Sequence, residues 1–135
     1  MLNAVGRGDL PAVTRLICKD EMWEFGASEP AAAKTALGDY LALYWKGLRS
    51  PLPFFSRTSF AFASRKILRG KSDGEAIREA WRAWQGGYMN GGESADAYHR
   101  RCFGDGDVLD AAFASTALEI YGPVFAAGRQ FTRLE

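Results

Sequence analysis

The stretch Pro51-Leu52-Pro53-Phe54-Phe55-Ser56-Arg57-Thr58-Ser59 lies between two segments of helical periodicity. Its reading sets where each of them ends or begins. A residue that precedes proline is driven out of the helical region. Ser50 therefore closes the first segment near Arg49, and Leu52 is held extended in the same way. A new helix is predicted to start at Ser56, a residue of the type that caps helix N-termini. With Ser56 as cap, Phe55 and Phe60 have the spacing of a hydrophobic staple. The joint is over-specified locally, and it predicts a fixed packing of the helices on either side.

Upstream, Ser28-Glu29-Pro30 combines a cap-type serine, an acid at the positive helix end and a first-turn proline. Ala33, Leu37, Tyr40, Leu41, Tyr44 and Leu48 recur at three and four residues and predict an amphipathic helix running to about Arg49. Tyr40, Tyr44 and Trp45 are expected at the edge of the core. Downstream, a helix over 56–69 takes Phe60, Ala63, Ser64, Ile67 and Leu68 as its apolar face, leaves Phe62 off it and stops at Gly70. Ser72 and Glu75 form a capping box for a third helix that ends at Gly86-Gly87. Ser94 is read as the cap of a short helix reaching Phe103, and Asp107 as the cap of a last long helix. Gly122-Pro123 should break or kink that last helix, and 124–127 should restart as a short tail. Residues 1–11 read as an irregular lead. Segments 12–18 and 22–25 read as a β-hairpin, marginal by itself and in need of cover. The expected fold is mainly α with a short N-terminal β-hairpin (α+β) and about five helices. It forms one domain over 12–135, the hairpin occupying 12–26 and the helices 29–127.

Hydrophobic residues make up 47% of the 135, enough for a core. No apolar run reaches the length of a membrane span, and no leader pattern opens the chain. Cys18 and Cys102 are expected as buried, reduced thiols, which places the protein in the cytoplasm. Charge is uneven. Between Lys46 and Arg82 nine basic residues face only Asp73, Glu75 and Glu79, whereas the rest of the chain is acidic. A basic middle is compatible with phosphate contact and equally with solvated helix faces. His99 is the single histidine, so neither a zinc set nor a nucleophile–base–acid set can be assembled around it. No phosphate-binding glycine motif is present, and Gly104–Asp107 lacks the ligand series of a calcium loop. The residues therefore favour a binding or assembly module without catalytic groups or cofactors.

The run Leu43-Tyr44-Trp45-Lys46-Gly47-Leu48-Arg49-Ser50 followed by Pro51 to Ser59 resembles the C-terminal region of RecC. RecC is the gamma subunit of exodeoxyribonuclease V, the RecBCD helicase–nuclease. Pro51, Pro53, Phe54, Phe55 and Ser56 carry the most specific part of the resemblance. Trp84 and Gly86, the segment from Glu93 to Gly104, and Phe113 with Gly122-Pro123 follow in order. The resemblance extends from about Val13 to the end of the chain. It implies the C-terminal part of a degenerate PD-(D/E)XK nuclease-like domain within a much larger subunit. At Ile17-Cys18-Lys19, Ile17 stands where an active nuclease would need an acid. It further implies RecB-like and RecD-like partner subunits and DNA, with Arg57, Arg65, Lys66, Arg69 and Lys71 as candidate DNA contacts. An autonomous helical interaction module without a DNA role is the alternative.

Overall fold

A computed structural model describes residues 13–18, 21–27, 29–87, 91–104 and 106–132. The irregular lead read over 1–11, the cap role read for Ser28 and the lysine at position 19 fall outside these residues. Five α-helices and a three-stranded antiparallel sheet follow in the order β1 (Val13–Ile17), β2 (Glu21–Gly26), α1 (Pro30–Arg49), α2 (Ser56–Ala63), α3 (Asp73–Gln85), α4 (Ala97–Phe103), α5 (Ala111–Ala127) and β3 (Gly128–Thr132). A π-helical turn, Ser64–Leu68, extends α2, and a 3-10 turn, Glu93–Ala95, precedes α4.

The hairpin forms, and it does not stand alone. The sheet order is β1-β2-β3, with Trp23 opposite Leu16 on one side and Gln130 on the other. The third strand replaces the hairpin-only expectation. α5 does not stop at Gly122-Pro123. It carries Pro123 within the helix, continues to Ala127 and passes directly into β3. Only a residue without a side chain fits at that passage, because a Cβ on Gly128 would stand 2.6 Å from Phe25 Cε1 and 3.0 Å from Trp23 Cε3. Phe25 is Gly128's partner in the ladder, so the close contact is a condition of strand pairing.

α2 joins two apolar clusters. On one side Phe62 and Phe55 enter the main core with Ala76, Trp84, Leu109 and Phe113. On the other side Ala63 joins Trp23 and Phe125 beneath the sheet, where Phe60 and Tyr121 also pack. The staple between Phe55 and Phe60 therefore does not form, since the two rings serve different clusters. Phe62, predicted off the apolar face, is buried against Phe113 at a ring-centroid distance of 5.6 Å. The π turn accounts for the difference at the C-terminal end. Arg69 N donates to Ser64 O five residues back. The extra residue in that turn rotates the helical phase, and Ile67 becomes exposed while Leu68 packs under the sheet.

One helix start agrees with expectation in full and others are shifted by a few residues. Ser72 and Glu75 form the full capping box of α3. Glu29 caps α1, accepting from the amides of Ala31 and Ala32. Asp96 replaces Ser94 as the cap of α4. Asp110 replaces Asp107 at α5, accepting from Phe113 N at 2.9 Å, while Asp107 accepts from Leu109 N. Each shift is within a few residues and exchanges one short acceptor side chain for another. Both cysteines are free, and Cys102 is exposed instead of buried.

Gly86 ends α3 at a positive φ of 73° and pairs with Gly91 in an isolated antiparallel bridge. Behind it, a Cβ on Gly92 would lie 2.0 Å from Trp84 O and 2.3 Å from the Gln85 carbonyl carbon. Both atoms are backbone and cannot move aside as a side chain can. Gly92→Ala is expected to separate this crossing and destabilise the fold by roughly 1–3 kcal/mol, read as a lowered midpoint in urea unfolding.

Candidate functional site

The proline joint and three later helices converge on one ring. Phe55 is fully buried. Its centroid lies 4.5 Å from that of Trp84, 4.9 Å from His99, 5.3 Å from Phe103 and 6.1 Å from Phe113. The approach to it follows from the prolines. Ser50 is extended, with φ −153° and ψ 135°, and α1 ends at Arg49 as predicted. Phe54 N donates to Leu52 O at 2.7 Å, a tight turn about Pro53. Leu52 folds back toward Gly47, within 3.3 Å of where a Cβ would be. Phe54 packs on Tyr121 at 5.8 Å, so the two adjacent phenylalanines face different neighbours.

Glu93 holds the start of α2. It comes from the 3-10 turn and is 8% exposed. Thr58 N donates to its Oε2 at 2.8 Å, and Arg57 N and the Ser56 hydroxyl each donate to its Oε1 at 3.2 Å. Ser56 itself is thus the first helical residue and not the cap. The carboxylate of a residue more than thirty positions away satisfies the orphan amides. Burial alone would raise the Glu93 pKa. The Thr58 amide, the Thr58 hydroxyl, the Arg57 amide and the Ser56 hydroxyl outweigh it and hold the carboxyl below its usual range. The Thr58 hydroxyl contributes to this pull although it makes no hydrogen bond of normal geometry. His99 Nδ1 lies 3.1 Å from Glu93 O. The Asp96 carboxylate accepts from the amides of Tyr98 and His99, which lower its pKa.

These groups line a polar cavity of about 520 Å³ beside Phe54 and Arg57. Both of its carboxylates are occupied as helix caps. Among the described residues no group of three His, Cys, Asp or Glu side chains comes together as a metal site would require. The arrangement stabilises a helix junction and presents no free acid–base pair.

Several of the basic residues expected to contact DNA have partners within the chain. Arg65 pairs with Glu79 at 3.3 Å, Lys66 with Asp73 at 2.7 Å and Lys71 with Glu75 at 3.4 Å. Arg57 donates to Gly91 O at 3.1 Å. Arg69 has no carboxylate within ion-pair distance among the described residues. The first three thus sit across from the acids of α3. Such exposed pairs are worth about 0–1 kcal/mol each and exchange readily with other anions.

α1 behaves differently from its sequence reading. Of its twenty residues only Leu43 is buried. It leans on α5 through Leu43 and through Tyr40, whose hydroxyl donates to Ile120 O at 2.8 Å. Burial raises the Tyr40 pKa. A groove of about 490 Å³ remains between the two helices. Leu41, Tyr44, Trp45 and Leu48 are 51%, 60%, 60% and 59% exposed. The core face assigned from periodicity mixed two sides of the helix. Ala33 and Tyr40 turn inward, Leu37 is half-buried and Leu41, Tyr44 and Leu48 face outward, while the buried Leu43 lies outside the predicted stripe.

The RecC C-terminal domain family matches residues 2–67. Over this stretch the chain is similar to the RecC C-terminal domain. The match covers β1, β2, α1, the proline joint, α2 and most of the π turn, and so includes the strongest block of the RecC resemblance. The Trp84, Glu93 and Phe113 blocks lie beyond it. A search of curated proteins finds no match to the chain. No helix among the described residues is long and apolar enough to cross a membrane.

Proposed function

We propose that the chain acts as a noncatalytic C-terminal segment of a RecC-like subunit, serving subunit assembly and DNA handling in a RecBCD-type complex of double-strand-break repair. The observation that carries this reading is α1. It belongs to the RecC-matched segment, buries a single residue and leaves four large apolar side chains in solvent. A twenty-residue helix with that surface is made to be covered by something else. In this reading RecB-like and RecD-like subunits are the partners and the cytoplasm is the compartment. The small sheet with its helices is the remnant of a nuclease-like domain whose strand end at Ile17 has no acid. The basic residues from Arg57 to Lys71 contribute to DNA handling by exchanging their carboxylate partners for phosphates.

Co-purification tests the assembly part. The chain mixed with purified RecB-like and RecD-like subunits is expected to elute with at least one of them. Elution with neither, or magnesium-dependent DNA cleavage by the chain itself, overturns the reading. The DNA part is tested separately in the full complex. Changing Arg65, Lys66, Arg69 and Lys71 together to glutamine is expected to weaken binding to forked DNA and flatten its salt dependence. Unchanged binding and slope remove DNA contact from the role of these residues.

A further inference from the structure

The outward stripe of α1 has a period of its own. Leu37, Leu41, Tyr44 and Leu48 are spaced four, three and four residues apart, the repeat with which one helix presents a seam to another. Trp45 widens the seam on one side. The inward residues Ala33, Ala36, Tyr40, Leu43 and Gly47 follow a separate track on the same helix. α1 therefore carries two helix-packing faces, and α5 occupies only the inner one.

The two flanks of the outer stripe differ. On the side toward α5, an apolar groove of about 330 Å³ is lined by Tyr44, Leu48, Leu52 and Ile120. On the other side, a concavity of about 630 Å³ is lined by Trp45, Lys46, Arg49 and Ser50. Lys34 sits in line with the stripe near its N-terminal end. Lys34, Lys46 and Arg49 form no ion pair among the described residues, unlike Arg65, Lys66 and Lys71. Asp39 is the one acid within α1.

We propose that the outer stripe of α1 receives an acidic amphipathic helix of a partner polypeptide, its apolar side on Leu41, Tyr44 and Leu48 and its carboxylates over Lys34 and Arg49, while Lys46 faces the groove against α5. This inference rests on the assembly reading and names the surface and partner chemistry for it. The seam spacing selects a helix, because an extended strand or a loop would not meet residues at four-three intervals. The charge selects an acidic one. A second copy of the chain is disfavoured, since self-pairing of α1 along this stripe would set Lys34 and Arg49 of each copy against cations with no acid on the same side.

The isotope-labelled chain is titrated by NMR with two synthetic helical peptides that share leucines at four-three spacing, one flanked by glutamates and the other by lysines. The glutamate peptide is expected to shift Leu41, Tyr44, Trp45 and Leu48 and to bind about tenfold more tightly, with an advantage that shrinks as salt rises. Equal affinities, or shifts confined to other elements, overturn the proposal. In the subunit capture assay, Leu41→Asp with Trp45→Asp is expected to abolish capture. Lys34→Glu with Arg49→Glu is expected to weaken it while the circular dichroism spectrum is kept. Undiminished capture by both variants rejects the docking surface and leaves the assembly reading standing. Failure of the unaltered chain to capture either subunit rejects the assembly reading, and the peptide titration then decides the preference of the stripe by itself.

Discussion

Phe55→Ala is expected to destabilise the chain by roughly 3–5 kcal/mol, a loss comparable to the whole stability of many small domains. The side chain is fully buried, and its ring meets Trp84, His99, Phe103 and Phe113, which come from α3, α4 and α5. Deleting it removes the aromatic contacts that tie the proline joint to α3, α4 and α5. The surrounding rings are large and held by separate helices, so the cavity closes poorly. Urea unfolding followed by tryptophan fluorescence measures the effect. Phe54→Ala is the internal comparison. Its ring is only half-buried, so a clearly smaller loss is expected there. Equal losses at the two positions would mean that Phe55 is not the hub of the core.

Glu93→Ala is expected to cost roughly 2–4 kcal/mol, because two backbone donors and a hydroxyl at the start of α2 lose a charged acceptor in a water-poor site. Glu93→Gln keeps the shape but removes the charge, and should recover part of the loss. The pH dependence gives a second readout. The folded-state pKa of Glu93 is depressed below its unfolded value. Its contribution is therefore present above the unfolded pKa and is lost as pH falls through the carboxylate range toward the folded pKa. Stability of the unaltered chain should decline on acidification, and the Gln variant should show a shallower decline over the same range. Identical pH profiles would show that the cap contributes no charge-dependent stability.

Much of the architecture was legible from neighbouring residues. The end of α1 at Arg49 follows from Pro51, the capping box of α3 from Ser72 and Glu75, and the stop at Gly86 from its freedom at positive φ. The capping of α2 was not legible, because its acceptor is Glu93 and nothing in the local sequence around Ser56 points there. β3 was hidden for a similar reason. Gly128–Thr132 has no alternating pattern strong enough to announce a strand, and it forms only because α5 delivers it to the open edge of β2. The candidate site was least legible. Periodicity along α1 established that apolar stripes exist, but two overlapping stripes read as one when the partner of each is unknown.

Residues a few positions apart were sufficient to specify which segments are helices, where prolines and glycines end them, and that the Pro51–Ser59 joint is RecC-like. Proline and glycine restrict dihedral angles, and capping side chains reach amides one turn away, so these effects act within the segment itself. Which side of α1 is covered, which cluster each phenylalanine joins and which carboxylates neutralise Arg65 and Lys66 became fixed only with the helices packed. Burial and ion pairing depend on what stands opposite, and the groups opposite come from distant parts of the chain: Ile120 for Tyr40, Phe113 for Phe62 and Glu79 for Arg65.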